Sequence, residues 1–91
     1  MNDPLYSIWY ENTVTHHAAA LPGGLDIPHA TARQRASSWC AYMTSIAPRG
    51  VDYVLGAWVT GVDDYGTFER AEVHAGPAHV GAFVVREGGV K

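Results

Sequence analysis

The stretch from Thr31 to Ile46 constrains the fold of this chain more than any other. Thr31 and Gln34 fit a capping box at the start of a helix, and Pro48 ends it, because the residue before a proline is disfavoured in helical geometry. Between these signals, the apolar residues step by three or four positions, the period of one helix face: Ala32, Ala36, Trp39, Cys40, Met43 and Ile46. No other stretch has a strong helical pattern, so this helix must cover a sheet.

Strand patterns occupy most of the remaining chain. Alternating or β-branched patterns predict strands at residues 5–11, 51–60, 67–75 and 79–86. Residues 13–20 fit an additional strand paired with the first as a hairpin, although their three consecutive alanines suit a helix equally well. An Asp-Asp-Tyr-Gly turn joins the first two strands that follow the helix, and Gly-Pro joins the last two.

These elements predict a single α+β domain over residues 1–91. We expect one antiparallel sheet of four to five strands in the order β(β)αβββ, with the helix at about residues 31–46 packed on one face. The side chains expected beneath the helix in the strand after it are Val51, Tyr53, Leu55, Ala57 and Val59, with Trp58 on the opposite face. The uncovered face of the sheet would need a partner.

Composition narrows the range of partners and compartments. The net charge is −3 and the six basic residues are scattered, which argues against direct binding of nucleic acid. No apolar run approaches the ~20 residues of a membrane span, and the N-terminus lacks the pattern of a signal peptide, so we expect a cytoplasmic protein with no membrane contact. Cys40 is the one cysteine, so no intrachain disulfide forms, and its place on the apolar helix face predicts a buried residue.

No motif identifies a chemistry, so we expect no catalytic residues, no metal and no cofactor. His74 and His79 flank a Gly-Pro turn that could bring them close together, but a zinc site needs three or four ligands. The serines lie outside any nucleophile motif. Adjacent carboxylates on a turn, such as Asp63 and Asp64, are typical of solvated side chains rather than of a catalytic pair.

Aromatic residues give the strongest functional signal. Phe, Trp and Tyr make up 11% of the chain, and one helix cannot bury all of these side chains against the sheet. Exposed aromatics beside carboxylates are typical of a protein-binding surface, although such residues also cover the second face of a thin sheet or pack in a homodimer. The candidate protein-binding residues are Trp9, Tyr42, Trp58, Asp63, Asp64, Tyr65 and Phe68.

The last strand suggests self-association. Residues 80–85 are apolar on both faces and contain no charge. At a sheet edge, such a strand would pair with a second copy, and its dimer-edge candidates are Val80, Ala82 and Val84. The alternative is that the strand lies inside the sheet.

Together these features favour a small non-enzymatic domain that binds another protein and occludes a site on it. Compact domains of this size and layout are frequent among phage and mobile-element inhibitors, including anti-CRISPR proteins, and a phage-encoded chain would act in the host cytoplasm. One alternative is a small-molecule enzyme of the dimeric α+β barrel type, similar to monooxygenases or cyclases, with Trp9, Trp58 and a histidine lining its pocket. Another is a structural homo-oligomer such as a virion component.

Overall fold

The computed structural model describes residues 4–87, which form one helix packed on one antiparallel sheet. The α+β fold predicted from the sequence is therefore confirmed. In chain order, the elements are β1 (Tyr6–Asn12), β2 (Ala18–Ala20), α1 (His29–Ile46), β3 (Tyr53–Leu55), β4 (Val59–Asp63), β5 (Gly66–Ala75) and β6 (Ala78–Glu87).

The strands follow the order β2–β1–β6–β5–β3 across the sheet, and every pair is antiparallel. Both β3 and β4 lie along the same side of β5: β3 pairs with its last residues and β4 with its first. One face of the sheet lies against α1 and is called the inner face. The opposite face carries no helix in residues 4–87 and is called the outer face.

The core lies between the inner face and the small residues of α1. Ala32, Ala36 and Cys40 form the buried side of the helix, as the sequence predicted. Because these side chains are short, the helix backbone approaches the sheet closely. Burial raises the pKa of the Cys40 thiol. The largest buried side chains of the sheet beneath them are Ile8, Val73, Phe83 and Val85.

Trp39 joins the helix to an aromatic cluster on the inner face. Its ring centroid lies 4.7 Å from that of Tyr10, 5.3 Å from that of Phe83 and 5.8 Å from that of Tyr53. The contacts with Phe83 and Tyr53 are edge-on, a geometry that aromatic quadrupoles favour. The Tyr10 hydroxyl donates to the carbonyl of Val80 at 3.3 Å, and burial raises the pKa of this tyrosine.

The start of the helix differs from the prediction. α1 begins at His29, before Thr31, and its N-cap residue is Pro28, which makes no side-chain cap hydrogen bond. The predicted capping box of Thr31 and Gln34 is therefore wrong, because both residues already lie inside the helix. Ile46, which we expected on the core face, is the last residue of the helix and is exposed.

The strand predicted at residues 51–60 is divided into β3 and β4. Tyr53 and Leu55 lie on the inner face as expected, and Gly56 extends their pairing with β5 by donating its N–H to the carbonyl of Glu72 at 2.8 Å. The break follows Gly56. The irregular residues that follow change the phase of the alternation. Consequently Trp58 packs on the inner side, whereas Val59 lies on the outer face and is exposed, the reverse of both predictions.

The prediction that Val80, Ala82 and Val84 line a free sheet edge is wrong. β6 pairs with β1 on one side and with β5 on the other, so it lies in the middle of the sheet. Val84, for example, is registered between Trp9 and Arg70. A strand that is apolar on both faces suits this central position, where it has a neighbouring strand on each side.

The hairpin of β1 and β2 is shorter than the pattern at residues 13–20 suggested. The chain turns after Asn12, whose side-chain Oδ1 accepts the N–H groups of Val14 and Thr15 at 2.9 and 3.1 Å. Only Ala18–Ala20 pair as a strand. The three alanines are therefore strand residues rather than helix.

The segment after β2 covers the remaining edge of β1. Ile8 donates its N–H to the carbonyl of Gly24 at 2.8 Å. Tyr6 and Ile27 exchange two backbone hydrogen bonds of 2.7 and 2.9 Å. The approach requires glycine at position 24, since a Cβ there would lie 2.8 Å from Cγ2 of Ile8. The edge of β1 is thus closed along most of its length.

Candidate functional site

A network of ion pairs crosses the middle of the outer face. Arg70 on β5 donates to Glu11 on β1 at 3.1 Å and to Glu72 at 2.9 Å. The second carboxylate oxygen of Glu72 lies 2.5 Å from Nε2 of His79. Partial burial raises the pKa of Glu72, but the hydrogen bonds from Arg70 and His79 outweigh this effect and hold it below its usual range. This part of the outer face is therefore polar and internally satisfied.

The β4–β5 hairpin and the adjoining end of β6 carry a different surface, which we call the hairpin patch and define as Val59, Asp63, Tyr65, Phe68 and Arg86. The Arg86 guanidinium forms a bidentate ion pair with the Asp63 carboxylate. It also lies 5.7 Å from the ring centroid of Tyr65 and 5.3 Å from that of Phe68, within cation–π range. The hydrogen bonds from Arg86 lower the pKa of Asp63.

The backbone of the hairpin fixes these side chains. Asp63 also accepts the N–H of Tyr65 at 2.9 Å, which forms the tight turn, and Gly66 follows with φ +114°, a conformation that favours glycine. The ring of Phe68 lies directly over Gly61, where an added Cβ would come within 2.6 Å of the ring. Tyr65 is nevertheless 89% exposed. The patch thus presents an exposed tyrosine ring on a tight turn that Asp63 and Gly66 define.

The structure brings together most of the predicted protein-binding residues. Asp63, Tyr65 and Phe68 belong to the hairpin patch, and Asp64 is exposed in the same turn. Trp9 shares the outer face but lies on β1, half-buried. The charge partner Arg86 was not predicted. Its alternation with Val85 on β6 places it on the outer face, but its distance from Asp63 along the chain concealed the pairing.

Tyr42 and Trp58 lie elsewhere. Tyr42 is on the solvent side of α1 and is 61% exposed, on the opposite side of the sheet from the hairpin patch. Trp58 packs on the inner side, with the Arg33 guanidinium 5.3 Å from its ring centroid. The enzyme alternative predicted a pocket lined by Trp9 and Trp58. This pocket is not formed within one copy of the chain, because the two rings lie on opposite faces of the sheet.

A second polar cluster joins the start of α1 to the sheet. Glu69 on β5 lies 2.5 Å from Nε2 of His29 and accepts a hydrogen bond of 2.7 Å from Arg33. The His29 ring also packs on Tyr6, with centroids 4.7 Å apart. His29 was not among the candidate residues, because the sequence placed the start of the helix at Thr31. The available signal was Glu69 itself, a charge on the face of β5 that otherwise carries Ala71 and other small apolar residues.

The histidines flanking the Gly-Pro turn are close together, as the turn suggested. The ring centroids of His74 and His79 lie 5.1 Å apart across the β5–β6 hairpin. His79 is already engaged by Glu72. Among residues 4–87, no group of three or more histidine, cysteine or carboxylate side chains is arranged to hold a metal ion.

The surface also has a shallow groove between α1 and the segment that precedes it, with a volume of about 430 Å³. No histidine, carboxylate or thiol lines it, so it contains no acid–base pair. The lining residues of the groove are Leu21, Pro22, Thr31, Gln34, Arg35, Ser38, Trp39 and Tyr42.

In the described part of the chain, no helix has both the length and the apolar character that a membrane span requires.

Comparison with known proteins gives no further guide to the site. No family model, curated protein or solved structure matches this chain. Among the large hydrophobic side chains of residues 4–87, Tyr65 of the hairpin patch is the most exposed.

Proposed function

We propose that this chain is a small non-enzymatic domain that binds another protein through the hairpin patch. The observation that carries the proposal is the exposure of Tyr65, whose ring is 89% accessible and lies beside the Arg86 guanidinium, which also contacts the ring of Phe68. An aromatic side chain has only two χ angles to fix and loses little conformational entropy on binding, and tyrosine and arginine are enriched among the residues that dominate binding energies. Exposed Val59 extends the same surface.

The chemistry of the patch favours a partner whose surface is apolar at its centre and basic at its rim. Asp64 is exposed beside Tyr65, and the chain carries a net charge of −3. Complementary charge would steer such a partner toward the hairpin. Binding there would occlude a basic site that otherwise contacts nucleic acid, the mode expected of a phage or mobile-element inhibitor of the anti-CRISPR kind.

We place this activity in the cytoplasm. The support is the single cysteine, which is buried and forms no disulfide. Chains that work in reducing compartments rarely depend on disulfides for stability.

The proposal is tested by quantitative affinity capture from the cells in which the chain acts, the host cells for a phage-encoded chain. The baits are the wild type and two variants that differ only in which tyrosine is removed. Tyr65→Ser removes the ring of the patch, whereas Tyr42→Ser removes an exposed ring from the helix side. We expect a protein retained by the wild type and by Tyr42→Ser to be lost with Tyr65→Ser.

With the retained protein purified, Tyr65→Ser should weaken binding by about 2 kcal/mol, roughly 30-fold, as truncation of a central aromatic residue does. Titration calorimetry measures the difference. Equal affinity of wild type and Tyr65→Ser, or a loss confined to Tyr42→Ser, would refute the hairpin patch as the binding site.

A further inference from the structure

The lateral edge of β4 that faces away from β5 is unpaired. Within residues 4–87, β4 pairs with β5 alone, and no other backbone hydrogen bond engages Val59–Asp63. Strand edges of this kind are templates for pairing with a further strand.

The register of the hairpin shows which backbone groups face that edge. The carbonyl of Glu72 accepts the N–H of Gly56, so the even-numbered residues of β5 direct their backbone groups toward β3 and β4. Their partners on β4 are Val59, Gly61 and Asp63. Because hydrogen-bonded and non-hydrogen-bonded pairs alternate in an antiparallel ladder, Thr60 and Val62 direct their N–H and C=O groups away from the sheet.

The other edges of the described sheet are less available. The edge of β1 is closed by β2 and the segment after it, and β2 itself has three residues. β3 also has three, and the N–H of Tyr53 already bonds to Oγ1 of Thr44 at 2.9 Å. β4 contains no lysine or proline that would block pairing, and its one charge, Asp63, is neutralised by Arg86.

We propose that two copies of this chain pair antiparallel through β4, about a two-fold axis that passes beside Gly61. In this register, Thr60 of one copy lies opposite Val62 of the other, and Gly61 lies opposite Gly61. Each outward N–H then meets an outward C=O, so the edge is complementary to itself, as a two-fold interface requires. A shift by one residue would leave these groups unpaired.

The side chains are compatible with this register. Val62, which is 76% exposed, lies against Thr60 of the second copy, and Val59 lies against Asp63, so no like charges are opposed. The Phe68 rings that cover Gly61 in each copy become neighbours on the outer face. The dimer is independent of the proposed function, but it would place two hairpin patches side by side on one continuous sheet.

The experiment is sedimentation velocity on the purified chain over a dilution series from low micromolar to near-millimolar concentration. Wild type should pass from monomer to dimer as concentration rises, and Val62→Lys should remain monomeric, because a charge is introduced against the second copy. Val14→Lys is the matched control, since Val14 is equally exposed at 76% but lies in the β1–β2 turn, and this variant should dimerise like the wild type. Circular dichroism melting verifies that each variant is folded.

Amide hydrogen exchange tests the register itself. Exchange at Thr60 and Val62 should slow as the wild-type concentration rises, and in Val62→Lys the exchange at Thr60 should not change with concentration. A wild type that stays monomeric at every concentration, or a Val62→Lys variant that dimerises normally, would overturn the proposal. Tyr65→Ser should still dimerise, so loss of partner binding and loss of the dimer are separate results.

Discussion

Trp39 is the residue on which most of the packing between helix and sheet depends. It contacts the rings of Tyr10, Tyr53 and Phe83, which come from strands on both halves of the sheet. Since a domain of this size has a small margin of stability, the loss of one such side chain is a large fraction of the total.

We expect Trp39→Ala to lower the free energy of unfolding by about 3 kcal/mol or more, because it removes the aromatic contacts and leaves a cavity beside Phe83. Urea denaturation measures the change. Tyr42→Ala, on the exposed side of the same helix, is the control and should change stability by less than about 0.5 kcal/mol. A melting midpoint lowered by only a degree or two in Trp39→Ala would contradict this role.

Among the elements, the first turn of α1 is tied to β5 by Glu69 rather than by a helix cap. Its carboxylate contacts both His29 and Arg33, and the pairing to Arg33 spans 36 residues of sequence. Partial burial raises the pKa of Glu69, but the hydrogen bonds from Arg33 and His29 lower it by a larger amount and hold it below its usual range. The ionised carboxylate is therefore favoured by folding.

A lowered pKa makes the contribution of Glu69 dependent on pH. It should be present in full above the unfolded-state pKa of about 4.3 and be lost as pH falls through the lower folded-state value. Glu69→Gln should reduce the free energy of unfolding by about 1–2 kcal/mol at neutral pH and by progressively less in acid.

Chemical denaturation at a series of pH values measures how the free energies of unfolding of the wild type and Glu69→Gln converge as the pH falls. Glu87→Gln, an exposed residue at the end of β6, is the control and should run parallel to the wild type. A Glu69→Gln variant that differs from the wild type by the same amount at all pH values would show that ionisation of Glu69 makes no contribution.

The elements that the sequence predicted are those defined by local pattern. The helix at residues 31–46 and the strand pairs on either side of the Asp-Asp-Tyr-Gly and Gly-Pro turns are present, because periodicity and turn chemistry are encoded by neighbouring residues. The division of residues 51–60 was missed, since the alternation of apolar side chains continues through Gly56. The break shows only in the pairing with β5, whose register is shifted by one residue between Leu55, opposite Val73, and Val59, opposite Arg70.

The candidate site was predictable to the same extent. Asp63, Tyr65 and Phe68 were selected together because they are neighbours in sequence around one turn. Arg86, which organises them, and the inner position of Trp58 depend on strand register and on the phase of a broken strand, which sequence patterns do not determine.

At the scale of the whole molecule, the central position of β6 makes its outer-face residues far less tolerant of charged substitutions than residues at the sheet edge. Ala82 on β6 and Ala18 on β2 are both registered opposite Glu11, but Ala82 is fully buried and Ala18 is exposed. The two positions therefore allow a matched comparison.

Ala82→Asp should lower the free energy of unfolding by about 3 kcal/mol or more, because it buries a carboxylate beside Glu11 and Glu72. Ala18→Asp introduces the same charge opposite the same Glu11 but in solvent, and it should cost less than about 0.5 kcal/mol. Thermal melting compares the two variants. Equal melting temperatures would mean that β6 is not held inside the sheet in solution.

The position of β6 also has a consequence for synthesis. Its hydrogen bonds join the first strand to the fifth, and Tyr10 meets Val80 across 70 residues of sequence. Until β6 is released from the ribosome, a nascent chain therefore has no strand that joins its two groups of paired strands, β1 with β2 and β5 with β3 and β4. Folding of this domain must be completed after its last strand leaves the exit tunnel, and until then the apolar faces of both groups are open to chaperones and proteases.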